Sequence, residues 1–420
     1  MASPAGDTAD FDGASAGEDV VGIDSAPDQR FLPSGDEAGT APEDRPFRPD
    51  VEGLRAVAVL LVVLFHIGFS SFGGGFFGVD VFFVISGFVI TGLLLRERRK
   101  SGHTDFLYFY ARRARRILPA ALLVMMVSLF LAFVLVGHSY SELVASDSRW
   151  TALFLSNFHF ATVYPTLLAT RAASPLQPYW SLAVEEQFYL IYPAIFVAVL
   201  AFPGRRSLRS RLTIALIGVI VVSFAYSVGT SKIGQLGAYD SPFTRAWELA
   251  LGALLAVVTL KLERIPKVVA AAMTWIGLGL VLVVAMTVTV KAALPGTITA
   301  LPVIGAGLII AGGCAAPLWG VESVLRLWPF RWIGRWSYSW YLWHWPVMLL
   351  AALRTHTTVN TTSTGRNSLL ALVALLLAAA TYFLVENPIR HSRWLAKQPG
   401  LTLVGAGLFI ASCVAFTFAF

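Results

Sequence analysis

The sequence predicts an all-α fold, a polytopic transmembrane helical bundle of about 10 core spans plus an eleventh C-terminal span. Hydrophobic residues make up 56% of the 420 residues and charged residues 14%, whereas soluble domains carry roughly 25% charged residues. Apolar runs of about 20 residues recur along the chain, and each is long enough for a helix to cross a ~30 Å hydrocarbon core. A membrane barrel would instead show short segments of alternating hydrophobicity.

Three regions differ in composition. Residues 1–50 carry twelve acidic residues against three arginines and almost no large apolar side chains, so we expect a disordered, acidic cytosolic tail. Residues 51–390 form the predicted transmembrane domain, and residues 391–420 a cytosolic linker and the eleventh span. The segment 149–164 is too short and polar for a span and predicts a re-entrant or interfacial segment. The predicted spans are 52–69, 79–95, 117–136, 180–202, 212–229, 243–260, 268–290, 298–317, 334–353, 368–385 and 401–420.

The distribution of basic residues predicts the orientation. Loops on the side of the N-terminus hold 21 Lys and Arg residues, and the opposite loops hold six. Because cytosolic loops carry the excess of positive charge, we expect a multi-pass cell-membrane protein with a cytosolic N-terminus and an extracytoplasmic C-terminus. Cys314 and Cys413 lie in apolar runs and fit neither a disulfide framework nor a metal site, and we expect no metal.

The first span contains two polar residues on one face. Arg55 and His66 are eleven residues apart, which is about 20° from three full turns and about 16 Å along the axis. Glu52 is positioned to pair with Arg55, although Arg55 also fits a side chain that snorkels to the cytosolic surface. His66 is expected to lie deep among apolar residues. It fits a neutral structural histidine, but we favour a functional one because histidine is best suited to move a proton near pH 7.

Asp80 opens the second span, after a glycine-rich stretch that permits close approach of the chain. It fits a helix cap without further function. It equally fits a carboxylate that orients His66, as in a catalytic triad. The pair Ser86 and Gly87, in the middle of the same span, predicts a helix-packing position.

Aromatic and basic residues alternate between the second and third spans, in FLYFYARRARRILP. The four arginines are Arg112, Arg113, Arg115 and Arg116. They fit an anchor for lipid headgroups. They also fit a phosphate site, in which guanidinium groups bind phosphates and Tyr108 or Tyr110 stacks on a base. A membrane location argues against nucleic acid as the partner.

Three other spans carry polar groups that lipid disfavours. In the fourth, Glu185 and Glu186 point about 100° apart, so at least one should face the bundle interior. In the ninth, three polar side chains share a face at i, i+4 and i+7, which predicts a stripe lining a cavity. Arg245 and Glu248, in the sixth span, predict a structural ion pair. The candidate cavity residues are Trp180, Ser181, Glu185, Tyr189, Ser337, Tyr341 and His344.

Together these segments resemble the membrane-bound acyltransferase-3 family, which O-acetylates cell-surface glycans, lipids and some antibiotics. The resemblance covers residues 47 to about 393 and rests on six segments in order: GLRAVAVLLVVLFH, GVDVFFVISGFVITGLL, FYARRARRILP, WSLAVEEQFYLIYP, RWIGRWSYSWYLWHWP and VENPIR. It implies that Arg55 and His66 are the family's essential arginine and histidine, and that the four arginines form its cytosolic loop. Many relatives continue into an external hydrolase-like domain, so a separate or removed extracytoplasmic domain is an expected partner.

The resemblance implies an integral membrane O-acyltransferase with acetyl-CoA as donor. The acyl group would pass to a hydroxyl of an extracytoplasmic cell-envelope glycan or glycolipid, in contact with membrane lipids. His66 would accept the hydroxyl proton and Asp80 or Glu186 would hold its tautomer, while Arg55 would bind coenzyme A or polarise the thioester. Two alternatives stay open: a transporter or flippase of a lipid-linked glycan, and a non-catalytic membrane partner of another enzyme.

Overall fold

The structure is a computed structural model that describes residues 48–163, 173–201, 207–232, 237–289 and 295–420. Regular structure in these ranges is helical, which confirms the predicted all-α bundle. Nine helical segments in the described ranges are long and apolar enough to cross a membrane. The helices are α1 Pro49–Ile67, α2 Gly78–Ser101, α3 Phe106–Leu135, α4 His138–Ala152, α5 Ser156–Val163, α6 Tyr179–Ala201, α7 Leu208–Lys232, α8 Pro242–Leu262, α9 Lys267–Thr287, α10 Ala300–Cys314, α11 Val321–Leu325, α12 Trp328–Arg354, α13 Thr364–Thr381, α14 Asn387–Arg390, α15 Arg393–Lys397 and α16 Pro399–Phe416.

Helices α1 and α12 are not among those nine segments, because they carry more charged and polar aromatic residues. They are 19 and 27 residues long, so each extends for about 28 Å or more along its axis. The two helices pack side by side, and a Cβ at Gly334 would overlap the Glu52 carbonyl. With α1 and α12 included, each of the eleven predicted spans corresponds to a helix.

Small residues bring α2 and α8 into close contact. A Cβ at Gly87 would overlap the Leu249 carbonyl, and one at Gly252 would overlap the Val84 carbonyl. Such contacts between small residues are a principal source of helix association in lipid. The packing interpretation is therefore confirmed for Gly87. The neighbouring Ser86 also contacts another helix, because its hydroxyl donates to Glu185 of α6 at 2.5 Å.

The segment predicted to be re-entrant or interfacial forms the end of α4 and the whole of α5, and its last residue lies outside the described residues. The helical conformation is interrupted between the two helices at residues 153–155, where Phe154 has a φ of 54°. Helix α5 has eight residues and therefore extends for only about 12 Å, too short to cross a bilayer. Its depth in the membrane stays a prediction.

The two predicted domain boundaries, after residues 50 and 390, lie near the start of α1 and at the end of α14. Residues 1–47 of the predicted acidic tail lie outside the described residues. Its last residues belong to the folded domain, because α1 begins at Pro49 and the buried Asp50 pairs with Arg48 at 2.6 Å. At the other end, α16 packs against α3 and α4.

Candidate active site

A cavity of about 70 Å³ lies among α1, α2, α3, α6 and α12. Its apolar wall comes mainly from α2, and its polar groups come from all five helices. The polar lining residues are Arg55, Ser86, Arg113, Arg116, Ser181, Glu185, Tyr189, Ser337, Tyr338 and Tyr341.

Arg55 enters the cavity from α1. Its Nε donates to Ser337 Oγ at 3.1 Å, and Ser337 donates onward to the Gly334 carbonyl at 2.8 Å. The predicted pairing of Arg55 with Glu52 is wrong in this structure. Glu52 accepts from Arg335 Nε at 3.2 Å and lies 3.6 Å from Arg331, because α12 packs on the helix face that carries Glu52. Arg55 is therefore held by a neutral hydroxyl, and its charge faces the cavity.

The four arginines lie in the first turns of α3 and not in a loop. Asp105 caps this helix by accepting from the Tyr108 amide at 2.9 Å, so the helix begins before the basic stretch. Helical spacing sends the side chains in different directions. Arg113 and Arg116 line the cavity, whereas Arg112 lies 3.7 Å from Glu97 and Arg115 donates to the Ser392 carbonyl at 3.4 Å.

Arg113 has unused hydrogen-bonding capacity. Its guanidinium carbon lies 4.0 Å from the centroid of the Tyr189 ring, a cation–π contact. Its Nε and Nη2 are buried without a hydrogen-bond partner among the described residues. Buried donors of this kind are costly unless a ligand or water satisfies them. Tyr110, the predicted base-stacking residue, instead donates to the Leu190 carbonyl at 3.0 Å and does not line the cavity.

The two neighbouring glutamates of α6 have different surroundings. Glu185 lines the cavity, accepts from Ser86 Oγ at 2.5 Å and is also hydrogen-bonded by Tyr189. Glu186 keeps a buried Oε1 without a partner in the described chain, and Arg113 and Arg116 are its oppositely charged neighbours. The structure thus places Glu186 beside the arginines of α3, and its predicted role in orienting His66 stays a prediction.

Asp80 pairs with Arg245 rather than with His66, which corrects the prediction that it orients the histidine. Arg245 Nη1 lies 2.7 Å from Asp80 and 3.0 Å from Glu248, and all three residues are at most 1% exposed. The guanidinium also lies over the rings of Tyr239 and Trp180, at 4.6 and 5.5 Å. Trp180 is therefore a wall of this buried ion cluster and does not line the cavity.

Tyr341 connects the cavity to a second polar cluster. Its hydroxyl lies 2.8 Å from Ser181 Oγ, and its ring centroid lies 5.5 Å from that of His344. The ring centroid of His344 in turn lies 5.1 Å from that of His66. The structure thus places Tyr341 on the cavity wall with His344 behind it, next to His66.

His66 lies closer to the end of its helix than expected, because α1 ends at Ile67. It is in the last turn of α1, which is capped by Gly68 with a φ of 90°. It is half-buried, whereas His344 is fully buried behind it. The Trp345 ring packs against His66 at 5.0 Å. His66 is therefore near the end of the bundle opposite the arginines of α3, and not deep in the middle of a span.

Glu386 and Arg390 are charged neighbours of the cavity arginines that sequence reasoning did not single out. Glu386 is buried, accepts from Ser339 Oγ at 3.0 Å, and has Arg116, Arg390 and Arg55 as its charged neighbours. It ends a π-helical stretch, Tyr382–Glu386, and such stretches often occur at functional sites. A glutamate directly after a predicted span, within the VENPIR segment, was the available sequence signal.

The profile of the acyltransferase-3 family, described as an acyltransferase domain, matches residues 48–383. The chain is 33% identical over 363 residues to a Bacillus subtilis protein named "Putative peptidoglycan O-acetyltransferase YrhL", covering 81% of this chain and 55% of that protein. It is 30% identical to the peptidoglycan O-acetyltransferase OatA of Listeria monocytogenes, with 83% and 56% covered.

A third relative, the O-acetyltransferase OatA of Staphylococcus aureus, is 29% identical, with 82% of this chain and 57% of the relative covered. The chain thus spans little more than half the length of these curated relatives. No solved structure matches the chain. Because the profile matches most of the chain, including α1, α3, α6 and α12, this protein belongs to the acyltransferase-3 family.

Proposed function

We propose that this protein is a membrane O-acyltransferase, with acetyl-CoA as donor and a hydroxyl of an extracytoplasmic cell-envelope glycan or glycolipid as acceptor. The observation that carries the proposal is the line of polar side chains from the arginine-lined cavity, through Tyr341, to His344 and His66. Family membership supports acyl transfer. The names of the relatives, which include peptidoglycan O-acetyltransferases, support a glycan acceptor.

The proposed orientation agrees with the two ends of this line. The excess of Lys and Arg supports a cytosolic location for the N-terminus and the start of α3, on the side where acetyl-CoA is found. Arg113 and Arg116 then lie on the donor side. His66, in the last turn of α1, lies on the outer side, where the acceptor is. We place the protein in the cell membrane on the same grounds.

The donor end has the chemistry for an anionic thioester. Arg55, Arg113 and Arg116 bring three guanidinium groups to the cavity, and unpaired donors of Arg113 are available to a phosphate or a carbonyl oxygen. The acyl end of the donor would enter the cavity, and the nucleotide would bind on the cytosolic face. Arg55 would bind coenzyme A at this end of the line, because it lies about 16 Å along α1 from His66.

The acceptor end has the chemistry for proton transfer. His66 would accept the proton of the acceptor hydroxyl as its oxygen forms a bond with the acyl carbon. The carbon–sulfur bond then breaks, and the thiolate of coenzyme A takes up a proton. The acyl end must pass Tyr341 to reach the histidines, because Tyr341 stands between the cavity and His344.

Reconstitution tests the proposal against both alternatives. The purified protein is placed in lipid vesicles. Labelled acetyl-CoA is added on the side where α3 begins, and a cell-wall glycan on the other side. We expect release of coenzyme A and a labelled glycan. Movement of a lipid-linked glycan without release of coenzyme A would instead indicate a flippase, and binding of acetyl-CoA without turnover would indicate a non-catalytic partner.

The proposed orientation has its own test. A reporter that is active only outside the cytosol is fused after Phe420, and a second one that is active only inside is fused in parallel. We expect a signal from the first fusion alone. A signal from the cytosolic reporter alone would contradict the eleven-span topology.

A further inference from the structure

The Nδ1 atoms of His66 and His344 both contact backbone carbonyl oxygens. His66 Nδ1 lies 2.9 Å from the Val62 carbonyl oxygen. His344 Nδ1 lies 2.6 Å from the Tyr341 carbonyl oxygen and 3.3 Å from that of Trp340. A carbonyl oxygen only accepts hydrogen bonds, so Nδ1 of each ring must carry the hydrogen. In a neutral imidazole with a protonated Nδ1, Nε2 is a pure acceptor.

Each tautomer is fixed by the main chain of its own helix. The accepting carbonyl lies four residues before His66 and, for the shorter contact, three residues before His344. Backbone oxygens in a helix hold their position far better than a mobile side chain does. At each Nδ1 a peptide carbonyl thus occupies the position that an orienting carboxylate occupies in a catalytic triad.

The acceptor atom Nε2 of His344 needs a hydrogen-bond donor. His344 is 0% exposed, and its Nε2 is buried without a hydrogen-bond partner among the residues that the structure describes. A buried acceptor without a partner is destabilising, because it has lost its hydrogen bonds to water. The nearest titratable ring is His66, which is itself an acceptor at Nε2. A group that satisfies His344 Nε2 must therefore supply a hydrogen-bond donor, and none of the described residues does so.

We propose that His344 binds the acceptor, by accepting a hydrogen bond at Nε2 from a hydroxyl of the polyol that His66 deprotonates at a neighbouring hydroxyl. This inference rests on the proposed function and narrows the acceptor to a compound with two nearby hydroxyls, as a sugar ring presents. One hydroxyl proton moves to His66 Nε2 as the carbon–oxygen bond forms. The other hydroxyl keeps its proton and stays hydrogen-bonded to His344.

The tautomers are measured first, without any substrate. The protein is labelled with ¹⁵N-histidine, and its nitrogen spectrum is recorded in lipid, with the two signals assigned by comparison with His66→Gln and His344→Gln. We expect both residues to show a protonated Nδ1 and an unprotonated Nε2. A protonated Nε2 on His344 would overturn the proposal.

Two substitutions of His344 then separate its two nitrogens. The amide nitrogen of an asparagine can replace Nδ1 as donor to the Tyr341 carbonyl but leaves nothing at Nε2, whereas a glutamine carbonyl oxygen reaches the Nε2 position. With acetyl-CoA and a chitin oligosaccharide as probes, His344→Asn should raise the KM for the oligosaccharide at least about tenfold and leave that for acetyl-CoA unchanged. His344→Gln should recover part of the loss.

An unchanged oligosaccharide KM in His344→Asn, or an equal rise in both KM values, would overturn the assignment. Binding of acetyl-CoA by calorimetry shows that each variant is folded. If the wild-type protein transfers no acetyl group, the proposed function fails. The nitrogen spectrum still decides the tautomers in that case, so the two failures are distinguishable.

Discussion

The arginine-lined cavity and the histidine pair are two ends of one polar line, but they are built in different ways. In the cavity, the charged groups are held by side chains from other helices: Arg55 by Ser337, and Glu185 by Ser86. At the other end, His66 and His344 are held by carbonyls of their own helices. A site built by many helices suits the binding of a charged donor, and a site built by rigid backbone suits directed proton transfer.

The largest expected effect tests the histidine end. His66→Gln keeps polarity and approximate size but removes the base, so acyl transfer should fall by at least about 10²-fold, in the range of general-base contributions. Acetyl-CoA binding, measured by calorimetry, should stay nearly unchanged because the arginines are intact. Near-normal transfer by a well-expressed His66→Gln protein would show that the two ends do not differ in the proposed way and that His66 is structural.

The ion cluster beside the site should respond in stability rather than in chemistry. Arg245→Met leaves the buried carboxylates of Asp80 and Glu248 without their cation, and breaking a buried pair costs roughly 3–5 kcal/mol. We expect a clear loss of thermal stability in detergent. Arg264→Met, at an exposed position between α8 and α9, is the matched control and should change little. Equal stabilities of the two variants would contradict the structural role of the cluster.

The donor end predicts a difference between arginines of the same helix. Arg113 and Arg116 line the cavity, so changing both to Gln should raise the KM for acetyl-CoA by about tenfold or more, since hydrogen bonds to charged groups contribute roughly 1.5–3 kcal/mol each. The KM of the variant should also depend less on salt, because the screened attraction is gone.

Arg112→Gln is the control for that pair. Arg112 is about a third exposed and pairs with Glu97, a contact of the kind that contributes about 0–1 kcal/mol. We expect at most a small change in the KM for acetyl-CoA. If Arg112→Gln weakens donor binding as much as the double variant does, the basic segment acts as a membrane anchor or diffuse charge, and not as a directed site.

The smallest effect belongs to the junction between the two ends. Tyr341→Phe removes the hydroxyl that lies 2.8 Å from Ser181 Oγ and donates to the Pro178 carbonyl at 3.1 Å, and it leaves the ring against His344. Neutral hydrogen bonds contribute about 0.5–1.5 kcal/mol each, so transfer should fall by a few-fold. A loss as large as that of His66→Gln would show that the Tyr341 hydroxyl takes part in the reaction and does more than position its neighbours.

Several site residues were within reach of sequence reasoning because helical periodicity is local. The helix face that Arg55 shares with His66 and the face that Ser337 shares with Tyr341 both follow from about 100° per residue. The same angle explains why Glu185 and Glu186 point in different directions. Glu386 was less accessible because it lies just beyond an apolar run, where a glutamate is ordinary. Its burial depends on the π-helical stretch and on packing against α12, and neither is encoded in the period of the apolar residues.

The sequence by itself determined the membrane class, the eleven helices and the segments that carry the polar groups, because the length of an apolar run and the angle between neighbours are properties of a single helix. Only the tertiary structure decided which polar groups meet. Asp80 pairs with Arg245, Glu52 with Arg335, and His66 with His344. These partners are far apart in the chain, and the contact between two helix faces depends on how close glycines such as Gly87 and Gly334 let the helices approach.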